Sequence, residues 1–443
     1  MLSFKNRFGL LPTDTEAFIL ASHLPKNIKT TFLVAQDTRE DNWTADFISP
    51  KKIKRYHLRQ LPYPFAKMDT KGCFKYSNLV KIIKKNKIDA IISTDNLAKI
   101  GQKNKIKIIS NNCQLQKKFE NKLWFDRFMT KYNLPKPPTI IYSQGTKKIF
   151  PGLNVLQKPR SEGGEGTYYV KNLGEIKKLI KDKKIRPEQK YLLRQFVAGR
   201  PCGLTLIITP KLIALSAIRL MCLGLKKETS QKLFLGVQWL ATNSLNPRLK
   251  KNINQVFTNL GYILQKNKVY GHINLDFIID KQDKIFIIEC NPRFSASTIQ
   301  LAQFSQTLSG LDAARIYFDL VFGYNEKQTV FYPLPESDFT GATTIIQFVP
   351  KNKNDKITIT EEPANGLYQM TGNRIKFISP DLRRFGQNKK SNEFIFYTDT
   401  IKGETYKQTV DLGYITTSFP LFDSQTGQPN TKIEKITNYL KMF

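Results

Sequence analysis

Two acidic residues and an asparagine lie on what reads as a β-hairpin, and their types suit a divalent cation. The apolar runs "INLDFIID" and "KIFIIECNPR" are joined by the polar residues KQD and place Asp276 and Glu289 13 positions apart. Because side chains alternate between the faces of a strand, a tight turn brings both acids to one face, and Asn291 leaves from that face. Carboxylate and amide oxygens are ligands that Mg²⁺ prefers, and Mg²⁺ in turn binds nucleotide phosphates. A surface hairpin with its polar positions in water is an equally weighted alternative.

A glycine-rich turn between two strand-like runs is the second candidate feature. In "QKPRSEGGEGTYYV", Lys158 ends one strand, and Gly163, Gly164 and Gly166 follow it. Such a loop can bring backbone N–H groups against phosphate oxygens, with the lysine as a point charge beside them. The GK[ST] ending of a Walker loop is absent. An ordinary hairpin turn is the alternative.

Three further positions could take part in the same chemistry. Lys122 opens a helix predicted over 119–133, and a lysine there is usually solvated. The buried run "YLLRQFVAG" (191–199) breaks into a loop that could present backbone groups to an adenine edge or be a plain core strand. Arg219, on the second strand of a hairpin predicted over 204–220, could hold an anionic substrate or phosphate; a surface role has equal weight.

The elements that must position these residues change along the chain. Residues 1–115 alternate strand-like and helical runs, which predicts an open α/β layer, and they lack a GxGxxG turn. From about residue 331 short β-rich runs lie between Gly, Pro, Asn and Asp. This texture predicts a separate C-terminal β or α+β unit that ends in a helix near 432–442.

Composition narrows the class of protein. The chain has 443 residues, 40% hydrophobic and 12% aromatic, which indicates folded domains. Its formal charge of +34 comes mostly from scattered lysines without interleaved aromatics, so nucleic acid is disfavoured as a partner. Five cysteines and three isolated histidines show no zinc or disulfide spacing, which favours a reducing cytoplasm. We expect no membrane partner, since no secretory apolar region opens the chain and the apolar stretch 204–225 reads as a hairpin.

Taken together and in this order, the features resemble the ATP-grasp superfamily. The likeness is to the synthetase domains of carbamoyl-phosphate synthetase and related carboxylate–amine ligases, over roughly 118–323 and more weakly before it. It implies an α/β and α+β fold with three parts: an N-terminal open α/β (pre-ATP-grasp) domain at 1–115, an ATP-grasp domain at 116–328 made of two α+β lobes (116–200 and 201–328), and a β-rich C-terminal domain at 329–443.

The resemblance also implies roles for individual residues. Asp276, Glu289 and Asn291 would bind one or two Mg²⁺ ions, with Mn²⁺ able to substitute, and Arg293 would face the transferring phosphoryl group. ATP would be bound by Lys122, Lys158, Ser161, Gly163, Gly164, Gly166, Gln195, Phe196 and Val197. Two positions depart from the family pattern. Gln195 stands where an acid is usual at the adenine hinge, and Cys202 aligns with an acid that holds the ribose hydroxyls.

The implied activity is ATP-dependent ligation. ATP would phosphorylate a carboxylate to an acyl phosphate, and an amine would attack it to give an amide, ADP and phosphate. The expected partners are a small-molecule carboxylate and amine, whose identities stay open, as does a homodimer. The alternatives are a catalytically degenerate ATP-grasp binding protein and carboxylation of the biotin-carboxylase kind, for which no biotin-bearing lysine segment is evident.

Overall fold

The structure is a computed structural model, and it describes most of the chain after residue 112. Within 113–441 the description leaves out 162–165, 227–230, 294, 296, 312–328, 351–353, 380–383, 387–391, 399, 401 and 408–409. Before residue 113 it comprises five strands and three single positions.

The N-terminal strands form one parallel sheet. They are β1 (Arg7–Leu11), β2 (Lys29–Val34), β3 (Lys54–His57), β4 (Ala90–Ser93) and β5 (Lys107–Ile109). Their order is β3-β2-β1-β4-β5, and every neighbouring pair is parallel. Parallel strands need crossover connections, so this order is that of an open α/β sheet. The α/β class predicted for this part of the chain is confirmed.

Two helices and a small sheet form the first lobe. The helices are α1 (Cys113–Phe119) and α2 (Lys122–Lys131), and Asn121 caps α2 by accepting from the backbone N–H groups of Leu123 and Trp124. The sheet comprises β6 (Thr139–Tyr142), β7 (Asn154–Gln157), β8 (Thr167–Val170) and β9 (Tyr191–Gln195). It is antiparallel in the order β6-β9-β7-β8, and α3 (Leu173–Lys181) follows β8. The predicted strand, glycine turn and strand are therefore β7 and β8.

The second lobe is a larger antiparallel sheet covered by a long helix. Its strands are β10 (Gly199–Thr209), β11 (Leu212–Leu215), β12 (Arg219–Lys226), β13 (Gln231–Trp239), β14 (Gly271–Asp280) and β15 (Ile285–Asn291). The order β15-β14-β10-β12-β13 places β10 at the centre. The helix α4 (Pro247–Lys266) buries one apolar side against this sheet, including Ile253, Phe257 and Leu260. Two short helices, α5 (Thr298–Gln303) and α6 (Ser305–Ser309), follow β15.

Most of the C-terminal strands that the structure describes continue the sheet of the second lobe. They are β16 (Val330–Tyr332), β17 (Ala342–Phe348), β18 (Ile357–Thr358), β19 (Gly366–Thr371), β20 (Arg374–Ser379), β21 (Glu393–Tyr397), β22 (Thr405–Tyr406) and β23 (Val410–Thr417). β17 pairs with β13, and the sheet then runs β17-β23-β21-β19-β20, while β16 pairs with β11. β18 and β22 pair with each other in a separate two-stranded sheet. The close approach of β17 to β13 requires Gly236, whose φ is +152° and where an added Cβ would lie 2.1 Å from the Thr343 carbonyl oxygen. The final helix, α7 (Thr431–Leu440), lies where the sequence predicts one.

One hydrophobic cluster joins the second lobe to the C-terminal strands. It contains Phe257 and Phe277 from the lobe together with Phe394, Leu412 and Ile436 from the C-terminal part. The domain boundary near 329 remains a prediction, and hydrogen bonds and apolar contacts cross it. In the part of the chain that the structure describes, no helix combines the length and apolarity that a membrane crossing requires.

Candidate active site

The β14–β15 hairpin places the predicted metal ligands side by side. Asp276 pairs directly with Glu289, and Asn274 pairs with Asn291, so all four lie on neighbouring positions of two antiparallel strands. A β-bulge follows Asp276, where the register shifts before Phe277. Bulges re-aim the side chains next to them, and here both Asp276 and Phe277 face the same cavity. Asp276 and Glu289 therefore lie side by side as the sequence predicts, but the bulge rather than alternation alone brings Glu289 opposite Asp276.

These residues line a cavity of about 340 Å³ between the two lobes. The polar part of its lining includes Lys122, Gln157, Ser161, Thr167, Arg219, Asn274, Asp276, Glu289, Asn291, Arg293, Ser295 and Ser297. The apolar and aromatic part includes Tyr169, Pro201, Cys202, Met221, Leu223, Phe234, Val237, Phe277 and Ile288. An apolar cavity with convergent charged groups is typical of a small-molecule site.

Lys122 is buried against Glu289, a predicted metal ligand, rather than solvated. Its side chain is 3% exposed, and Nζ lies 3.2 Å from Glu289 Oε1 and 3.0 Å from the carbonyl oxygen of Ser161. The backbone N–H of Lys122 donates to the Pro159 carbonyl oxygen, and this bond connects the start of α2 to the segment that follows β7. The first lobe therefore places the ammonium group of Lys122 next to an acidic side chain of the second lobe.

The two acids repel each other in a poorly solvated place. Burial raises the pKa of Asp276 to about 7, and the nearby Glu289 carboxylate raises it as well. Arg219, Lys122 and Arg293 act in the opposite direction. A divalent cation between the acids would relieve this repulsion.

The donor set fits Mg²⁺. Asp276 and Glu289 supply two carboxylates and Asn291 an amide oxygen, all hard oxygen ligands. Among the described residues no group of three or more His, Cys, Asp and Glu side chains could hold a metal. Mg²⁺ usually keeps only one or two protein carboxylates and completes its shell with water and phosphate oxygens, so a two-acid set is sufficient.

Arg293 is held by an acid that sequence reasoning missed. Its Nε donates to Glu120 Oε1 at 3.0 Å, and its side chain is 37% exposed. Glu120 follows α1 and also accepts from Gln116 Nε2 at 2.9 Å. The Arg293 carbonyl oxygen accepts from the Asn274 side chain. Only the packing of α1 against β15 brings Glu120 and Arg293 together, so local sequence carries no signal for the pair.

Arg219 is buried in the lining of the cavity, which excludes the surface alternative, and it lies on the strand after the predicted hairpin rather than within it. It begins β12 after β11 has ended, and it is 2% exposed. Nη1 donates to Thr205 Oγ1 at 2.9 Å, and Nη2 donates to Asn274 Oδ1 at 2.9 Å. The guanidinium also lies 5.7 Å from the centre of the Trp239 ring. Burial lowers the pKa of Arg219 to about 10, while Asp276 raises it, so the side chain is a cation at neutral pH.

The predicted nucleotide residues of the glycine-rich turn are only partly described. Gly163 and Gly164 lie outside the described residues. Ser161 lines the cavity, whereas Lys158 is absent from its described lining. The Lys158 backbone N–H donates to the Gly166 carbonyl oxygen, and Gly166 has φ +64° with no space for a Cβ beside the Lys158 stem. The phosphate role of this turn stays a prediction.

The predicted adenine hinge is connected to the cavity by a contact between Phe196 and Tyr169. Gln195, Phe196 and Val197 are not among the described lining residues. The Gln195 N–H donates to Pro138, and the Phe196 N–H donates to Leu153. The Phe196 ring meets Tyr169, which does line the cavity, with ring centres 6.1 Å apart. The adenine role of these residues stays a prediction.

Arg194 links the two lobes and was not foreseen. It is 3% exposed on β9; Nη1 donates to Gln157 Oε1 at 2.9 Å and Nη2 to the Ile288 carbonyl oxygen at 2.8 Å. Ile288 precedes Glu289, so Arg194 holds the backbone next to a predicted metal ligand. Burial lowers the pKa of Arg194 to about 10, opposed by Asp126 and Glu289.

We expect Arg194→Met to destabilise the protein by about 2–4 kcal/mol, because Gln157 Oε1 and the Ile288 carbonyl oxygen lose a charged donor in a buried place. Chemical unfolding monitored by circular dichroism measures this change. The exposed Arg186→Met is the matched control and should stay within about 0.5 kcal/mol of wild type. Equal stabilities of the two variants would contradict the role of Arg194 as a link between lobes.

Cys202 lines the cavity but is shielded from solvent. It is completely buried, and burial raises the pKa of its thiol to about 12, with a smaller opposite effect from Arg200. Burial also raises the pKa of Cys222 to about 12. Because the thiolate is the reactive form, native Cys202 should be alkylated by iodoacetamide at pH 8 at least about 10²-fold more slowly than in unfolded protein. Peptide mass spectrometry over time checks this, and equal rates in native and unfolded protein would contradict it.

Comparison with known proteins identifies the fold. Residues 119–297 match the sequence model of the ATP-grasp domain. The search of curated proteins found no match. Residues 119–297 are therefore an ATP-grasp domain, as their resemblance to that superfamily predicts.

Solved structures with the same architecture cover nearly the whole chain. The biotin carboxylase domain of Hydrogenobacter thermophilus 2-oxoglutarate carboxylase, solved with MgADP, ADP and bicarbonate, is 14% identical with a TM-score of 0.59, over 93% of this chain and 86% of that one. The L-amino acid ligase from Bacillus licheniformis is 13% identical with a TM-score of 0.58, over 99% and 98%. The ADP complex of N5-carboxyaminoimidazole ribonucleotide synthetase is 10% identical with a TM-score of 0.56, over 98% and 96%. At these identities the likeness shows the fold, which extends through the C-terminal strands.

Proposed function

We propose that the protein is an ATP-dependent, ADP-forming ligase that joins a carboxylate to an amine through an acyl phosphate. The observation that carries the proposal is the arrangement around Glu289. Its carboxylate lies opposite Asp276 on the paired strand and 3.2 Å from the buried Lys122 of the other lobe. Two acids and a cation converging on one cavity suit Mg²⁺ and phosphate together.

Each charged residue has a task in this proposal. Asp276, Glu289 and Asn291 would hold Mg²⁺, which when bound neutralises the phosphate charge of ATP. Lys122 supplies a point charge from the first lobe, and Arg293, oriented by Glu120, supplies a second from the other side. Phosphoryl transfer needs positioning and charge neutralisation more than covalent help, so no side-chain nucleophile is required.

The proposed reaction balances without a redox partner. A carboxylate oxygen attacks the γ-phosphorus of ATP, the bond to the bridging oxygen breaks, and ADP leaves. The amine nitrogen then attacks the acyl carbon, the carbon–oxygen bond to phosphate breaks, and phosphate leaves. The proton lost by the amine passes to water or to phosphate.

Carboxylation is the second candidate. The biotin carboxylase domain solved with bicarbonate has the same fold, and bicarbonate could be activated by the same charge arrangement. The mostly apolar side chains on strands β12 and β13 of the cavity favour a larger, apolar carboxylate instead.

The test is ADP release from purified protein with Mg·ATP and pools of carboxylates and amines, with products read by mass spectrometry. Amide formation that requires both substrates and equals the ADP released supports the ligase. ADP release with bicarbonate alone supports carboxylation. Saturable Mg·ATP binding by calorimetry with no turnover in any pool would indicate a binding protein and contradict the proposed activity.

A further inference from the structure

One side of the cavity is an apolar wall that the chemistry above does not use. It consists of Met221 and Leu223 on β12 and of Phe234 and Val237 on β13. Met221 pairs with Val237, and Leu223 pairs with Phe234, with a register shift between Cys222 and Leu223. This bulge brings Phe234 and Val237, three positions apart, to the face that lines the cavity.

The apolar wall lies away from the other apolar part of the lining. Tyr169 on β8, Phe277 on β14 and Ile288 on β15 lie where the first lobe meets the β14–β15 hairpin, and the predicted adenine hinge borders that end. The wall lies across β10 from them, because the strand order is β15-β14-β10-β12-β13. The cavity therefore has two apolar ends, one on each side of β10, and the acids Asp276 and Glu289 lie on the strands of the first end.

A cation lies at the inner end of the apolar wall. Arg219, Met221 and Leu223 alternate along β12 and share one face. Arg219 is opposite Gly203 of β10, which is opposite Asp276 of β14. Two strand spacings, roughly 10 Å, thus separate the backbone of Arg219 from that of Asp276. Gly203 has no side chain between them, and an added Cβ would lie 3.2 Å from Arg219 Nε.

The guanidinium of Arg219 keeps donor capacity for a ligand. Arginine has five N–H groups. Three of these N–H groups donate to acceptors in the described part of the chain, namely Thr205 Oγ1, Asn274 Oδ1 and the Leu204 carbonyl oxygen. A carboxylate in the cavity is the complementary acceptor.

The acids of the described lining lie at the metal end. They are Asp276 and Glu289, on β14 and β15, and none lies on β12 or β13. The apolar wall therefore offers no counter-ion for a positively charged group, and its chemistry suits a carboxylate attached to an apolar group.

The C-terminal part of the chain supports the apolar wall from behind. Gln238, next to Val237, accepts at Oε1 from the backbone N–H groups of Leu421 and Phe422 at 3.1 and 2.8 Å. Gly427 lies against Cys222, on the opposite face of β12. The wall is thereby held in place by residues far along the chain.

We propose that the acid activated by this protein carries an apolar group, which packs against the apolar wall while Arg219 orients its carboxylate. The inference rests on the proposed ligase function and names the class of its carboxylate substrate: an aliphatic or aromatic acid about the size of a large amino acid.

Hydroxylamine trapping tests the inference without knowledge of the amine. Wild-type protein is given Mg·ATP, hydroxylamine and straight-chain acids from acetate to pentanoate, each with and without an α-amino group, and succinate as the polar comparison. Hydroxylamine nitrogen attacks the acyl phosphate, phosphate leaves, and a hydroxamate forms. We expect kcat/KM to rise roughly fourfold with each added methylene in at least one series, and succinate to react more slowly than butanoate.

Two matched leucine variants assign the dependence to the apolar wall. Leu223→Ala removes apolar surface from the cavity, so kcat/KM should rise less with chain length and should be about tenfold below wild type for pentanoate. The affinity for Mg·ADP, measured by calorimetry, should be unchanged. Leu235→Ala, on the paired strand but outside the described lining, should leave the series as in wild type. Both leucines are half-buried, and thermal melts confirm that each variant is folded.

The outcomes separate the two proposals. Hydroxamate formation that is fastest with succinate, or that ignores chain length, overturns the apolar-acid inference and leaves the ligase standing. Weakened Mg·ADP binding in Leu223→Ala with an unchanged series assigns the wall to the nucleotide and also overturns it. No hydroxamate with any acid, despite Mg·ATP binding, overturns the proposed ligase and the inference with it.

Discussion

Glu289→Gln is expected to abolish ATP turnover, with a loss of about 10² or more in rate and an intact fold. Glutamine preserves the shape of the side chain and a carbonyl oxygen for Lys122, but it removes the charge that would hold Mg²⁺ opposite Asp276. Turnover is measured as ADP released from saturating Mg·ATP, and folding by circular dichroism and thermal melting.

The control for this variant is Glu336→Gln. Glu336 is also paired with a lysine, Lys250, at 2.7 Å, but it is 66% exposed and lies outside the described lining of the cavity. It should turn over ATP at the wild-type rate. A purified Glu289→Gln protein that matches wild type would remove the metal-site assignment.

Lys122→Met is expected to lower kcat/KM for Mg·ATP by about 10² or more. The ammonium is the cation that the first lobe places against Glu289, and methionine fills similar volume without charge. Because the loss removes a phosphate contact, calorimetry should also show weaker Mg·ATP binding. Steady-state kinetics at varied Mg·ATP separate the binding loss from the rate loss.

Breaking any lysine–acid pair could change stability, so Lys136→Met is the matched control. Lys136 lies 2.7 Å from Asp126 and is 18% exposed, and it is outside the described lining of the cavity. Any loss of stability should be similar in the two variants, whereas only Lys122→Met should lose Mg·ATP affinity. Unchanged affinity in Lys122→Met would contradict its phosphate role.

The positive charge of the chain has a local counterpart in the cavity. Lys122, Arg219 and Arg293 together oppose the rise in the pKa of Asp276 that burial and Glu289 cause. These three cations suit an anionic nucleotide and a carboxylate in one cavity.

Local features of the site could be predicted from sequence because they depend on chain neighbours. Apolar runs and a short turn predict the β14–β15 hairpin that carries Asp276 and Glu289, but the turn's own register pairs Phe277 with Ile287, and only the β-bulge after Asp276 brings Glu289 opposite it. Strand periodicity and glycines likewise predict β7, β8 and the turn between them. The ordered set of motifs was specific enough to indicate the ATP-grasp fold, which the domain match and the architecture confirm.

The partners of these residues were decided by tertiary packing. Lys122 reaches Glu289 across 167 positions, and Glu120 reaches Arg293 across 173. Periodicity says which face of a strand or helix is buried, but it carries no information on which distant face packs against it. For that reason the helix pattern alone favours a solvated Lys122, whose role at the phosphates was implied only by the family resemblance, and Arg194 was not predicted.

The positions of the two apolar ends of the cavity were likewise decided by tertiary packing. A bulge in β12–β13, the pairing of β13 with β17 and the C-terminal segment behind Gln238 together place the apolar wall. The sequence by itself indicated the ATP-grasp fold and the two neighbouring strands that carry the acids, since both follow from short-range patterns. Only the tertiary structure decided which cations meet those acids and which surface faces the substrate, because these contacts join strands and helices more than a hundred residues apart.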